Sequence, residues 1–152
     1  MQRVLGKFRL VERVCETDGA TVWRGERAAD FDPAVAIELY DPADSAGAAN
    51  AHAKQRALGM LNHPTIPALV DASFSHEGPA WVAAEWREGK PLPEYCASRQ
   101  LMARQIVLLL RQLLDALLHA HQRFIVHGRI DGLNVITGAF LRQRQARGDR
   151  QR

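Results

Sequence analysis

Cysteine is scarce in this chain of 152 residues: Cys15 and Cys96 are too few for a disulfide scaffold, and they have no CxxC spacing for zinc. Both are expected as small packed side chains. Long apolar runs are missing too, since none approaches the roughly 18 to 20 residues of a membrane span. The start, Met1 to Leu10, carries charges where a signal peptide would be apolar. These absences predict a cytoplasmic protein with no membrane segment and no metal site. Nor does one sign of charge dominate, because 20 Lys plus Arg face 17 Asp plus Glu. The basic excess is local: residues 140–152 hold five arginines and one aspartate, whereas residues 1–139 carry 15 basic and 16 acidic groups. A basic face of the kind that binds nucleic acid is therefore not indicated, except through that Arg-rich tail. What the chain does have is apolar content, 47% of its residues, enough for one globular domain with a real core.

Two loosely alternating, β-rich runs, Phe8 to Cys15 and Ala20 to Glu26, flank a turn at Glu16 to Gly19 and read as a hairpin. A third run, Val35 to Tyr40, has a period of two. Ala36, Glu38 and Tyr40 fall on one face, and Val35, Ile37 and Leu39 on the other. Small residues from Pro42 lead into an alanine-rich helix that Asn62, His63 and Pro64 stop. Ala68 to Ser75 and Ala80 to Trp86 give two more strands, joined by a connection short enough for a hairpin. From Leu101 to Phe124 the apolar residues Ile106, Leu109, Leu110, Leu113, Leu114, Leu117 and Leu118 recur at helical spacing. Val107 and Leu108 add to them, so this helix is expected to be buried on more than one side. Beyond Thr137 periodicity ends, and residues 140–152 are expected to be a disordered basic tail.

This order, together with several local motifs, resembles a protein kinase of the bacterial Ser/Thr type. Val35, Ala36, Ile37 and Glu38 are similar to the third-strand V-A-I-K motif. Leu61 to Pro64 with Ile66 resembles the turn after the regulatory helix, and Glu85 to Gly89 resembles the hinge between lobes. Ile125 to Asn134, reading IVHGRIDGLN, resembles the catalytic loop I-V-H-R-D-I-K-P-x-N. The resemblance implies an α+β fold: a small lobe of five antiparallel strands and one helix, then the first helices of a large lobe whose remainder is absent. It places the small lobe and hinge at residues 1–90 and the partial large lobe at residues 91–139.

The departures from the family pattern fall where phosphoryl transfer needs a particular charge. In place of a bare glycine-rich loop stand Cys15, Thr17 and Asp18, with Gly19 and Val22 kept. The family's phosphate-binding lysine is replaced by Glu38, and counting back from Leu61 places Lys54 where the regulatory-helix glutamate belongs. The resemblance thus implies the family's Lys–Glu pair with its ends exchanged, a bridge that holds architecture and puts a carboxylate toward phosphate. At ~4 Å and an effective dielectric of ~20, one such repulsion is on the order of 4 kcal/mol before screening. The catalytic base becomes Arg129, a permanent cation, and the nearby lysine becomes Asp131. Asn134 is kept and is expected to tie down its own loop by hydrogen bonds. No D-F-G follows within these residues.

These departures predict a truncated pseudokinase, not an enzyme, with no cofactor, whose catalytic positions Glu38, Lys54, Arg129, Asp131 and Asn134 are degenerate. The former nucleotide cleft would be outlined by Cys15, Thr17, Val22, Ala36, Ala84, Glu85 and Trp86, with Trp81 and Trp86 packing the hinge strand. The expected role is a protein-binding regulator or scaffold, and the expected contact with a protein partner or a second copy is the helix Leu101 to Phe124, left uncovered by missing large-lobe helices. Two other readings remain open. One is a Ser/Thr kinase-related nucleotide-binding domain with residual ATP binding or phosphotransfer, and the other is an adaptor that binds acidic partners or nucleic acid through the tail.

Overall fold

A computed structural model describes residues 3–17, 19–27, 33–44, 46–74 and 78–138. The loop residue Asp18 and the tail, residues 140–152, to which the sequence assigned roles, lie outside the described residues. The chain divides into two compact units that meet in sequence between Trp86 and Arg87.

Among the described residues, the first unit is a six-stranded antiparallel sheet with one helix. Its strands are β1 (Val4–Leu5), β2 (Phe8–Thr17), β3 (Ala20–Arg27), β4 (Val35–Tyr40), β5 (Leu69–Ser73) and β6 (Trp81–Glu85), in the spatial order β1-β2-β3-β4-β6-β5. The five expected strands are present. The sixth, β1, pairs Leu5 with Phe8 across a tight turn in which Gly6 takes φ +55°, a conformation open to glycine. The alternation in β4 sorts its side chains as the period of two predicts. Val35, Ile37 and Leu39 join Phe8, Leu10, Trp81 and Ala83 in one buried cluster. Trp81 meets Phe8 edge to face, with ring centroids 5.7 Å apart. Tyr40 lies on the opposite face with Ala20, Val82 and Ala51.

Ala51 belongs to α1 (Gly47–Gly59), the alanine-rich helix, and is fully buried. Alanine at this contact lets the helix lie close to the sheet, which fixes the separation between α1 and β4. The chain enters α1 through two local turns, in which the Ala43 and Ala46 amides donate to the carboxylates of Asp41 (2.8 Å) and Asp44 (2.9 Å).

The second unit holds β7 (Gly89–Pro91), α2 (Leu92–Ala97), α3 (Ala103–His121) and β8 (Ile136–Gly138). Strands β7 and β8 form a two-stranded ladder clasped by the buried Thr137, whose hydroxyl donates to the Lys90 carbonyl at 3.1 Å. At the start of α3 the Gln105 side chain accepts the Met102 amide at 2.9 Å, satisfying a backbone donor that the helix leaves open. The helix is shorter at both ends than the apolar pattern suggests. It stops where Phe124 turns into the left-handed region at φ +58° and Ile125 N–H donates back to the Ala120 carbonyl at 3.0 Å.

Two expectations are corrected here. Cys15 and Cys96 are exposed, not packed: β2 is exposed on both faces from Val11 to Thr17, and α2 buries none of its residues. Helix α3 is not buried on several sides: among its residues only Ala120 is buried, while Val107 is 62%, Leu114 64% and Leu118 55% exposed. Apolar periodicity reports which face seeks cover and not what lies opposite it. Among the described residues no helix is long and apolar enough to cross a membrane.

Candidate functional site

Strand register decides which sequence-predicted residues share a face, since directly paired residues in antiparallel strands point the same way. Cys15 pairs with Val22, Val22 with Glu38, and Glu38 with Val82. One step along the strands, Ala36 pairs with Arg24 on one side and Ala84 on the other. Thr17, two residues beyond Cys15, belongs to the same face. The sheet thus gathers Cys15, Thr17, Val22, Ala36, Glu38 and Ala84 on the face that also receives α1. Glu85 and Trp86 are at the strand end: the Glu85 amide donates to the Ala68 carbonyl at 2.9 Å and the Ala68 amide to the Glu85 carboxylate at 3.3 Å, while the Trp86 amide donates to the Ala34 carbonyl at 3.2 Å.

On that face Lys54 of α1 forms an ion pair with Glu38 of β4, so the two ends implied by the resemblance do meet. The bridge is half-buried, with Glu38 21% and Lys54 39% exposed. The second carboxylate oxygen of Glu38 is also taken, by the Tyr40 hydroxyl, which donates to it at 2.8 Å. Burial, and then the Glu38 charge, hold the Tyr40 hydroxyl protonated well above the ordinary phenol range. Sequence reasoning passed over Tyr40. The period of two put it on the Glu38 face, but nothing local told a core tyrosine from a carboxylate donor. Both oxygens of Glu38 are therefore engaged within the protein, and the cation beside them sits on α1 instead of the strand.

In the second unit the segment from His127 to Asn134 is wired to itself. Asp131 accepts the Leu133 and Asn134 amides at 2.8 and 3.0 Å, and the Asn134 side-chain amide donates to the Arg129 carbonyl at 2.9 Å. The Arg129 amide donates to His127 Nδ1 at 3.3 Å, and its guanidinium stands 4.0 Å from the Asp131 carboxylate. A divalent cation of the kind that serves phosphoryl transfer takes several oxygen ligands. This loop offers one carboxylate, already held by two amides and faced by a guanidinium, and one amide, which by themselves do not fit such an ion. Among the described residues no three His, Cys, Asp or Glu side chains converge to bind a metal.

No protein-family model matches the chain. It is 25% identical over 138 residues to the serine/threonine-protein kinase PrkC of Bacillus subtilis, covering 89% of this chain and 21% of that protein. To the serine/threonine-protein kinase Pkn1 of Myxococcus xanthus it is 30% identical over 133 residues, 86% of this chain and 19% of that protein. A shorter match, 32% over 74 residues, covers 49% of this chain and 10% of the serine/threonine-protein kinase SMU1 of Mycosarcoma maydis. Among solved structures, the PknI kinase domain of Mycobacterium tuberculosis superposes with a TM-score of 0.71 at 19% identity, covering 89% of this chain and 56% of that domain. The chain thus spans about a fifth of PrkC and Pkn1 and just over half of the solved domain. The sheet and helices match the small lobe and the start of the large lobe of a kinase domain. One expectation is overturned by these findings. The chain was read as no enzyme, yet the relatives are named serine/threonine-protein kinases and the fold is a kinase domain's, which points to a kinase. That reading gave four exchanged charges the weight that belongs to the whole backbone.

Proposed function

Because the chain belongs to the protein kinase-like family, we propose that it works as a protein-binding regulator or scaffold in kinase signalling, with α3 as the contact surface. The observation that carries this reading is the exposed face of α3. Ile106, Val107, Leu110, Leu114 and Leu118 all lie open on one helix, and with Ala103 they make a row in which no charge intervenes. A contiguous apolar patch of this kind on a folded protein marks a surface that another chain covers. The Glu38–Lys54–Tyr40 cluster supports the same reading, since it ties α1 to the sheet with contacts supplied by the chain itself.

Sedimentation of the purified chain from micromolar concentration upward, with binding of an environment-sensitive apolar dye, tests the proposal. Association or dye uptake that Leu114→Arg abolishes is the expected result. A monomer that takes up no dye at any concentration overturns it.

The relatives' names favour a second reading, that the chain is part of a Ser/Thr protein kinase and takes ATP. A magnesium-dependent thermal shift with ATP, stronger in Glu38→Lys than in the parent, is the outcome that this reading requires. An ATP titration without any shift in either protein excludes it.

A further inference from the structure

We infer that the turn between β1 and β2 is a strap that closes the curled sheet of the first unit over its own core, with Lys7 and Asp71 as its fastening. Strands β1 and β5 are the opposite edges of that sheet, and β3, β4 and β6 stand between β2 and β5. In a flat sheet the turn would lie roughly 20 Å from β5, well beyond the combined reach of a lysine and an aspartate. Yet Lys7 Nζ meets the Asp71 carboxylate at 2.6 Å. Phe8 of β2 likewise reaches Trp81 of β6, and a Cβ on Gly6 would lie 3.4 Å from the Trp81 ring, so the whole turn is seated on that indole. The sheet has therefore curled until its two edges face each other. Among the described residues β1 and β5 share no ladder, so side chains alone close this seam.

Asp71 pairs with Ala83, a member of the buried cluster, and so faces the core side of the sheet. The fastening thus spans the mouth of the core. Charge is divided across that mouth. On the turn side the Lys7 ammonium and the Arg27 guanidinium stand 5.4 and 5.8 Å from the Phe8 ring centroid and roof a ring that is fully buried. On the β5 side stands Asp71, whose carboxyl is held below its usual range first by the hydrogen bond from Lys7, with the Lys7 and Arg27 charges adding to it. Lys7 therefore covers Phe8 and ties the turn to the opposite edge at once. Both partners of the pair are partly open to solvent, and β1 is held to β2 by only two register pairs, so the strap lifts with little loss of ladder. Its opening bares Phe8 and Trp81 and leaves β5 without its tie, while β3 and β4 stay paired. A single exposed pair contributes little to global stability, so its effect is read in local opening.

The experiment is residue-resolved hydrogen exchange of the full chain near neutral pH, comparing the parent, Lys7→Glu, Asp71→Lys and the double exchange. Slow amides in β3 and β4 show in each variant that the sheet is folded. Each single reversal is expected to speed exchange at residues 5–10 and in β5 together, about three-fold or more, with β3 and β4 unchanged, and the double exchange to bring both segments back toward the parent. Salt at about 1 M, which screens the pair, is expected to move the parent itself in the same direction, so the test does not depend on a substituted chain. Exchange in β5 that neither a reversal nor salt alters, or that the double exchange leaves as fast as the single reversals do, overturns the fastening. Acceleration confined to residues 5–10 overturns the strap as a closure of the two edges, and acceleration of β3 and β4 by the same factor overturns the local opening.

Discussion

Tyr40 is the residue whose role depends most on what folding brings to it. Its hydroxyl is buried beside a carboxylate, and its proton is the donor that occupies the second oxygen of Glu38. Replacing it by Phe leaves that oxygen without a donor and is expected to cost about 1 to 2 kcal/mol in urea unfolding, the range for a hydrogen bond to a partly exposed charged group. The pH dependence follows from the direction of the shift. With its folded pKa raised, Tyr40 contributes stability that is complete below the free phenol value of about 10 and is lost as pH climbs from there toward the folded value. The parent's unfolding midpoint should therefore fall between pH 9 and 11 more steeply than that of Tyr40→Phe, which has no such proton to lose; equal slopes would show that the hydroxyl is not held by Glu38. Asp71 has the opposite sign. Its hydrogen bond to Lys7, at 2.6 Å, holds its carboxyl below the usual value, so its contribution is present above about pH 4 and is lost as pH falls. That pair is exposed enough for screening to keep its effect well under about 1 kcal/mol.

At the scale of elements, what the sequence showed was whatever repeats locally. The alternation of β4 and the helical spacing of α3 each report a face, and both faces are where periodicity puts them. Elements made by pairing between distant residues left no such trace. Strand β1 is two residues long, and β7 and β8 are three each, paired through Gly89–Gly138, Lys90–Thr137 and Pro91–Ile136. Of the site, the Glu38–Lys54 meeting was legible through the family pattern, whereas the Tyr40 donor and the self-bonded loop at Asp131 needed the backbone path. The end of α3 shows the same limit, since Phe124 has no stop signal of the Gly or Asn kind and yet takes the left-handed conformation. A bulky residue there is strained, and its ring is 97% exposed, so it gains no packing in return. Phe124→Gly is accordingly expected to stabilise the chain by about 1 kcal/mol, net of glycine's greater freedom when unfolded. An unchanged or lower denaturation midpoint would show that the ring contributes more than its exposure suggests.

For the whole molecule the decisive fact is where the buried side chains are. The fully packed residues Phe8, Val35, Ile37 and Val82 all belong to the first unit, and among the described residues of the second unit only Ala120 and Thr137 are buried. Apolar burial stabilises a structure at about 25 cal/mol per Å², so the two units are unequally stable in isolation from any partner. Unfolding then need not be one transition. Hydrogen exchange of the full chain at low concentration should show the amides of β3, β4 and β6 as the slowest, opening only with global unfolding, and those of α3 exchanging faster by about 100-fold or more. Association through α3, the proposed contact surface, would add a concentration term, because binding to the folded form stabilises it by mass action. Raising the concentration into the micromolar range should slow exchange in α3 selectively and leave β3 and β4 as they were. If α3 is as protected as the sheet at every concentration, the second unit has a source of stability other than the contacts described, and its apolar face is not the open surface on which the proposed function depends.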